Sequence, residues 1–273
     1  MKVFVTRSIT AIIFATLVIS SIMVHHLFFS ILFLLVTILG LFEFYKLLKS
    51  IDVYPNKFSG ILAGAVLFIT NALVAYGYAE FRILMANFVV IFLIFFVELF
   101  QKHSKPFSDI TFAVFGLVYI ALPFSLLHYL PNPTIEPGVR HTILLLGFFI
   151  IVWTNDTGAY IVGSLIGKRR LFPRHSPKKS WEGAIGGAIF SVVAGCIMAG
   201  FSNVITRFDW IAISIIIAIF STYGDLFESM FKRSLNQKDS GSILPGHGGI
   251  LDRFDGVFFA VPFVLVYLVA VLN

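Results

Sequence analysis

Acidic residues are scarce in this chain, yet several of them cluster near its C-terminal end. Of 14 acidic residues among 273, five lie between positions 225 and 255: Asp225, Glu228, Asp239, Asp252 and Asp255. Asp225 and Glu228 are spaced i,i+3, as are Asp252 and Asp255, so each pair shares one face if its helix extends that far. Hard divalent cations, Mg²⁺ above all, bind such carboxylate oxygens. We therefore predict a metal site formed by these two pairs, although each acid taken singly also fits a solvated loop position.

The segment between the two acidic pairs combines basic residues with glycines. Its glycines are at positions 241, 246, 248, 249 and 256, and its basic residues include Lys232, Arg233, Lys238 and Arg253. Glycines allow the backbone to approach a polyphosphate closely and to present its N–H groups. The segment contains neither the Gly-x-x-x-x-Gly-Lys-Ser/Thr nor the Gly-x-Gly-x-x-Gly phosphate motif. From the residues alone, we predict a combined metal and phosphate site.

The composition of the chain places this site in a membrane protein. The chain is 58% hydrophobic and 12% charged, with a mean hydropathy of +0.94, whereas soluble domains average about 25% charged residues. A soluble globular domain is therefore excluded, and so is a disordered chain. The single cysteine, Cys196, excludes an intramolecular disulfide and a cysteine-based zinc site.

Apolar runs recur along the chain at a length suited to membrane spans of about 20 residues. They cover residues 9–24, 27–45, 59–78, 83–98, 110–130, 142–163, 183–201, 209–224 and 257–272. The first run also fits a cleaved signal peptide, because Lys2 and Arg7 precede it. We predict an all-α integral membrane protein with about nine transmembrane helices, formed as one polytopic domain. Residues 1–141 would be mainly scaffold spans, and residues 142–273 would carry the catalytic motifs.

The distribution of basic residues predicts the orientation. With the N-terminus in the cytoplasm, the inside segments hold 17 of the 20 Lys and Arg residues, and the outside loops hold only Arg82, Arg140 and Arg207. This positive-inside bias predicts a cytoplasmic N-terminus and an external C-terminus. The polar segments 164–182 and 225–256 would then face the cytoplasm from the inner membrane. The net charge of +6 reflects these loops, and we expect no nucleic-acid partner.

The polar C-terminal segment also resembles a known family. It reads Ser229-x-Phe231-Lys232-Arg233, four residues, Lys238-Asp239-x-Gly241, two residues, Leu244-Pro245-x-His247-Gly248-Gly249-Ile250-x-Asp252-Arg253-Phe254-Asp255. This pattern is similar to the signature of the phosphatidate cytidylyltransferases, also called CDP-diacylglycerol synthases. The similarity extends upstream through residues 155–160 and 176–183, and so covers most of the C-terminal half. The first 140 residues share only hydrophobicity and span count.

The resemblance implies a reaction in phospholipid biosynthesis. CTP and phosphatidic acid would give CDP-diacylglycerol and pyrophosphate, with Mg²⁺ required and a second cation left open. Both reactants are anions, so metals and fixed cations address charge repulsion. Because the lipid phosphate is already a nucleophile near pH 7, we expect His247 to orient substrate rather than to act as a base. The expected partners are CTP, phosphatidic acid and membrane lipids, and a homodimer remains open.

We predict the following roles for individual residues. The catalytic set is Lys232, Arg233, Lys238, Asp239, His247 and Arg253. The substrate-binding set is Asn155, Asp156, Lys178, Lys179, Ser180, Gly248 and Gly249. The metal set is Asp225, Asp252, Glu228 and Asp255. Among the last, we expect Asp225 and Asp252 to be the direct Mg²⁺ ligands, with Glu228 orienting a neighbouring base and Asp255 either binding metal or capping its helix.

Several other features have simpler interpretations. An ion-coupled transporter with an acidic cytoplasmic site is the alternative function, but it would need polar residues in the outer halves of several spans, which are almost purely apolar. Glu43 and Glu98 lie at inner span ends, where snorkelling to the interface explains them. Ser180 fits an N-cap, and the glycines between Gly183 and Ala188 fit close helix packing.

Overall fold

The computed structural model describes the backbone of residues 2–133, 141–241 and 248–272, and side chains from residue 10 onward. Almost all of this described part is helical. In chain order its elements are α1 Lys2–Val24, α2 His26–Leu47, α3 Lys57–Ala75, α4 Met85–Leu99, α5 Pro106–Gly116, α6 Leu122–Leu126, α7 Thr142–Ile166, β1 Arg170–Phe172, β2 Ser176–Ser180, α8 Trp181–Met198, α9 Arg207–Ser234 and α10 Leu251–Leu272. Short 3₁₀ turns extend α2 and precede α4, and a π-helical turn joins α5 to α6.

Eight helical rods within the described residues are long and apolar enough to cross a membrane. At 1.5 Å per residue, about 20 residues span the hydrocarbon core of a bilayer. The prediction of an all-α integral membrane protein is therefore confirmed. The first predicted span corresponds to α1, whose described apolar part, Thr10–Val24, is shorter than the other eight.

Helix α1 packs against the rest of the bundle. Its side chains Val18 and Ile22 are almost fully buried. The ring of Phe14 meets that of Phe254 edge to face, with 5.4 Å between their centroids. Helix α1 thus contributes to the same apolar core as α10.

Aromatic rings fix the start of α10 from the apolar side. Phe254 is 1% exposed and makes edge-to-face contacts with Phe33 of α2 and Phe124 of α6, at centroid distances of 5.7 and 4.9 Å. Such contacts have a defined geometry and stabilise beyond the area that they bury. Phe254 lies between Asp252 and Asp255 in sequence, so its anchoring also sets where these two carboxylates point.

Glycines bring α7 and α8 into direct backbone contact. A Cβ on Gly186 would lie 2.5 Å from Val162, and one on Gly187 would lie 2.8 Å from Oδ1 of Asn155. Gly183 lies equally close to the backbone of α7. The prediction of close helix packing at these glycines is confirmed, and the packing is internal to the chain. It also fixes the position of Asn155 in α7.

A second close crossing joins α9 and α10. A Cβ on Gly224 would collide with the backbone carbonyl of Asp255 and lie 3.2 Å from Cα of Gly256, and a Cβ on Gly256 would collide with Ser221. Asp225 directly follows one of these glycines, and Asp255 directly precedes the other. The crossing therefore determines how close the two carboxylates come.

The polar segment between α7 and α8 forms an antiparallel hairpin, which the sequence did not predict. Strand β1 pairs with β2 through Arg170 opposite Ser180 and Phe172 opposite Ser176. Strand β2 leads straight into α8, where the Ser180 hydroxyl accepts a hydrogen bond from the Gly183 N–H at 3.1 Å. The predicted N-cap is thus confirmed. The hairpin gives Lys178 and Lys179 a fixed backbone instead of a flexible loop.

We expect Gly256→Ala to destabilise the fold, because the added methyl group has no room at the α9–α10 crossing. Overpacking of this kind costs about 1–3 kcal/mol. Gly163→Ala in α7 is the matched control. Its added Cβ would make only ordinary contacts of 3.4 Å, with Gly183 and Ser180. Thermal unfolding in detergent should show a clear loss for Gly256→Ala alone. Equal unfolding temperatures for the two variants would contradict the proposed tight crossing.

Candidate active site

Three carboxylates meet where α9 crosses α10, and we call them the acidic trio. Oxygens of Asp225, Glu228 and Asp255 all lie within 4.8 Å of one another. Asp225 and Glu228 lie one helical turn apart on α9, as their spacing predicted, and Asp255 lies in the second turn of α10. Glu228 is 1% exposed, and the other two are half-buried. Like charges this close are unfavourable without a counter-charge.

The acidic trio has the donor chemistry of a hard-cation site. All three ligands are carboxylates, which Mg²⁺ and Ca²⁺ prefer. Oε1 of Glu228 is buried and has no hydrogen-bond partner among the described residues. A buried acceptor without a donor is costly, and a cation bound by the trio would remove that cost. The residues therefore fit a divalent metal ion.

The carboxylate of Asp252 does not lie where a direct metal ligand beside Asp225 was predicted. Its Oδ1 lies 2.5 Å from Nζ of Lys232, which also lies 2.6 Å from Oε2 of Glu228. Its Oδ2 accepts hydrogen bonds from the Gly249 N–H at 2.8 Å and from the Ser240 N–H at 3.0 Å, and it lies 2.9 Å from the Ser240 hydroxyl oxygen. The carboxylate is turned toward the loop because donors surround it there. Asp252 thus contacts the trio through Lys232.

Glu43 is a site residue that the sequence interpretation missed. It is 2% exposed, so the expectation that it snorkels to the interface is wrong. Its Oε1 accepts a 2.5 Å hydrogen bond from the Ser240 hydroxyl, and its Oε2 accepts a 2.7 Å bond from the Ile250 N–H. A side chain on Gly249 would collide with this carboxylate. We call residues 240–250 the glycine-rich loop. Glu43 therefore connects both ends of this loop to α2.

One signal in the sequence could have identified Glu43. It is the one acidic residue in a largely apolar helix of 22 residues, and an ionisable residue within a span marks a functional site by default.

The hairpin brings Lys179 to the acidic trio. Its Nζ forms an ion pair with Oδ2 of Asp225. Asp156 of α7 lies nearby, exposed to solvent, with Asp225, Lys179 and Arg253 as charged neighbours. Asn155 donates a long hydrogen bond of 3.5 Å to Asp156 and accepts one of 3.3 Å from Ser191. Asp156 is therefore an exposed acid with Asp225 of the trio as a neighbour.

The other predicted site residues have varied positions. Those with exposed side chains are Lys178, Arg233, Lys238, Asp239 and Arg253. Gly248 adopts a φ of 81°, which glycine accepts without strain. Ser180 caps α8. His247 lies outside the described residues.

Acids outnumber bases around the acidic trio. The acids are Asp156, Asp225, Glu228, Asp252 and Asp255, and the bases are Lys179, Lys232 and Arg253. With every group ionised, five negative and three positive charges leave an excess of two negative charges. Glu43 adds a further acid next to Asp252, and a divalent cation bound by the trio would reduce the total excess of negative charge.

The chain matches a known family along nearly its whole length and individual relatives along about two thirds of it. A model of the cytidylyltransferase family matches residues 5–271. The phosphatidate cytidylyltransferase of Staphylococcus saprophyticus is 38% identical over 181 residues, which cover 66% of this chain and 67% of that protein. The enzyme of the same name from Staphylococcus haemolyticus is 38% identical over 179 residues, covering 65% and 66%. That of Staphylococcus aureus is 37% identical over 180 residues, with the same coverage.

The fold and these similarities define an integral membrane enzyme with a carboxylate-rich site. The chain belongs to the cytidylyltransferase family. The aligned segments span about two thirds of each Staphylococcus relative.

We expect Glu43→Gln to loosen the glycine-rich loop. The amide would direct its NH₂ group at a donor, either Ser240 or the Ile250 N–H, and an unmade buried hydrogen bond costs about 1–3 kcal/mol. Amide hydrogen exchange should accelerate in a peptide covering residues 248–254. The control is Glu80→Gln, because Glu80 is exposed and pairs with Arg82. Exchange as slow as in the parent would mean that Glu43 does not hold the loop.

Proposed function

We propose that this chain transfers the cytidylyl group of CTP to phosphatidic acid, forming CDP-diacylglycerol and pyrophosphate. The observation that carries the proposal is the acidic trio, framed by Lys179 and Lys232, in a membrane protein of the cytidylyltransferase family. Its Staphylococcus relatives bear the name phosphatidate cytidylyltransferase. A phosphate oxygen of the lipid would attack the α-phosphorus of CTP as pyrophosphate leaves in line. The reaction belongs to phospholipid biosynthesis.

Asp225, Glu228 and Asp255 would hold the Mg²⁺ ion. When bound, such an ion supplies charge neutralisation and polarisation at the reacting phosphate. Lys232 bridges Glu228 and Asp252. It would thereby keep the carboxylate of Glu228 in place beside the other two acids of the trio. A second cation remains a prediction.

Lys179 and Lys178 would bind substrate phosphate from the hairpin. Lys179 already pairs with an anionic oxygen of Asp225, and phosphate offers oxygens of the same charge. Lys178 is exposed beside it. Fixed cations of this kind stabilise the charge that develops during phosphoryl transfer. Rigid attachment to β2 limits the reorganisation needed when substrate arrives.

The lipid tails would lie between α7 and α8. An apolar groove of about 410 Å³ runs there, lined by residues that include Ile150, Thr154, Phe190 and Val193. Thr154 directly precedes Asn155 and Asp156, so the groove begins next to the polar site. We infer that an acyl chain occupies the groove while the head group reaches the acidic trio. The groove extends from there to Met198 and Phe201 at the C-terminal end of α8, away from the hairpin.

We also propose that the site faces the cytoplasm from the inner membrane. The trio, the hairpin and the glycine-rich loop lie at the C-terminal ends of α7 and α9 and the N-terminal ends of α8 and α10. These ends share one side of the bundle, and the strong excess of Lys and Arg predicts that this side is cytoplasmic. CTP is a cytoplasmic solute, so the orientation agrees with the proposed reaction. The N-terminus would be cytoplasmic and the C-terminus external.

Purified protein should incorporate label from CTP into lipid when phosphatidic acid is supplied in mixed micelles. Labelled UTP, GTP and dATP should give far less product. The measurement is chromatographic separation of labelled lipid after incubation with Mg²⁺. If phosphatidic acid gives no CTP-dependent lipid product, the proposed function is wrong.

Asp255→Asn should impair the reaction more than Asp252→Asn. Loss of a group that supports a metal ligand typically costs about 10–100-fold, and loss of a ligand itself should cost at least about 100-fold. Excess Mg²⁺ should recover part of the loss, because the defect lies in metal affinity. The control is Asp52→Asn, because Asp52 is exposed and its positive φ of 56° suits Asn. The measurement is the initial rate of each variant across a Mg²⁺ titration. If Asp255→Asn has the Mg²⁺ dependence of the parent, Asp255 is not a metal ligand.

A further inference from the structure

A second cluster of metal-binding side chains lies where α4 ends and α5 begins. Glu98 is in the last turn of α4, His103 is in the connection and Asp109 is in the first turn of α5. One ligand atom of each lies within 4.8 Å of the others. The two acids are almost completely buried, 4% exposed for Glu98 and 1% for Asp109. The expectation that Glu98 snorkels to the interface is therefore wrong.

The protons available in this cluster do not satisfy its acceptors. Nδ1 of His103 lies 3.2 Å from Oε1 of Glu98 and 3.0 Å from Oδ2 of Asp109. A single ring nitrogen carries at most one hydrogen, and the geometry directs it to Glu98. Among the described residues, Oδ2 of Asp109 has no hydrogen-bond partner, although it is buried. Three electron-rich atoms thus converge with one proton between them at most.

Asp109 is held so that its unpaired oxygen points into the cluster. Its other oxygen, Oδ1, accepts a 2.6 Å hydrogen bond from the Tyr54 N–H. Lys105, the nearest base in sequence to Asp109, instead donates to the carbonyl of Ile51 at 3.3 Å. Across the part of the chain whose side chains are described, no Lys or Arg nitrogen lies within 4.0 Å of either buried carboxylate. Two buried negative charges therefore share one imidazole, which is a costly arrangement without a cation.

From this convergence we propose that Glu98, His103 and Asp109 bind a zinc ion, separate from the acidic trio. Tetrahedral zinc with bonds of about 2.0–2.2 Å holds its ligand atoms roughly 3.3–3.5 Å apart. The distances from Nδ1 of His103 to the two carboxylate oxygens, 3.2 and 3.0 Å, are close to this spacing. One nitrogen and two oxygens suit zinc better than Mg²⁺, which prefers oxygen alone. The imidazole side chain is 29% exposed, so water can reach a fourth position.

A zinc ion at this place would fasten α4 to the rest of the protein. Helix α4 is mostly lipid-facing, with Phe88, Phe92 and Phe96 each more than half exposed. The three ligands come from its last turn, from the connection and from α5. Through its bond to the Tyr54 N–H, Asp109 also holds the segment between α2 and α3. The site therefore joins two connections, α4–α5 and α2–α3, on the same side of the bundle as the acidic trio.

The test measures zinc retention by the full-length protein in detergent. Protein stripped with EDTA is given one equivalent of Zn²⁺ with millimolar Mg²⁺ to occupy the acidic trio, passed through gel filtration and assayed for metal content. The parent and Asp225→Asn should each retain about one Zn²⁺ per chain, and His103→Gln should retain almost none. The matched control is His25→Gln. The rings of His25 and His26 lie 4.1 Å apart, so this pair is another place at which imidazole nitrogens come together. His25→Gln should retain zinc as the parent does.

A second measurement keeps the proposal testable if His103→Gln does not fold. Zinc-edge X-ray absorption of the parent should show only nitrogen and oxygen ligands at about 2.0–2.2 Å, including one imidazole. EDTA should also lower the unfolding temperature of the parent. No zinc retention by the parent, equal retention by His103→Gln, a shell with two imidazoles, or an unfolding temperature that EDTA leaves unchanged would each overturn the proposal. His103 would then be a hydrogen-bonding bridge between two acids.

Discussion

Contact between the backbones of α9 and α10 at Gly224 and Gly256 is the constraint on which the active site depends. It brings carboxylate oxygens of Asp225 and Asp255 within 4.8 Å of each other. Their repulsion with Glu228 is then reduced by Lys179 from the hairpin and by Lys232 from α9 itself. Each of these basic residues lies on a rigid element. The fold therefore offsets the repulsion between the acids before substrate binds.

The N-terminal half contributes more than membrane anchoring. Phe33 of α2 packs on Phe254, and Glu43 of the same helix bonds both ends of the glycine-rich loop. One side of α2 thus supports α10 through apolar contact, and its end supports the loop through hydrogen bonds. A division into scaffold spans and catalytic motifs, as the sequence suggested, understates this dependence.

Features set by local pattern were predictable, and features set by distant partners were not. Apolar runs gave the spans, Ser180 gave a helix cap, and the glycines after it gave the α7–α8 contact. By contrast, Asp252 accepts hydrogen bonds from Ser240 and Gly249 instead of facing Asp225, and Ser240 itself bonds Glu43. Glu43 and Ser240 are 197 positions apart, so no short window contains both. The β-hairpin escaped prediction because its strands have only three and five residues.

The bond between Glu43 and the loop has a consequence for biogenesis. A ribosome adding about 5–20 residues per second needs roughly 10–40 s to extend the chain from Glu43 to Ser240, a separation of 197 residues. During that interval α2 has been synthesised, but the hydroxyl and N–H groups that bond its carboxylate do not yet exist. The growing chain must therefore shelter this acid in water or protonate it until α10 is inserted. Glu43 is thus among the first polar groups to reach the membrane and among the last to find its native partners.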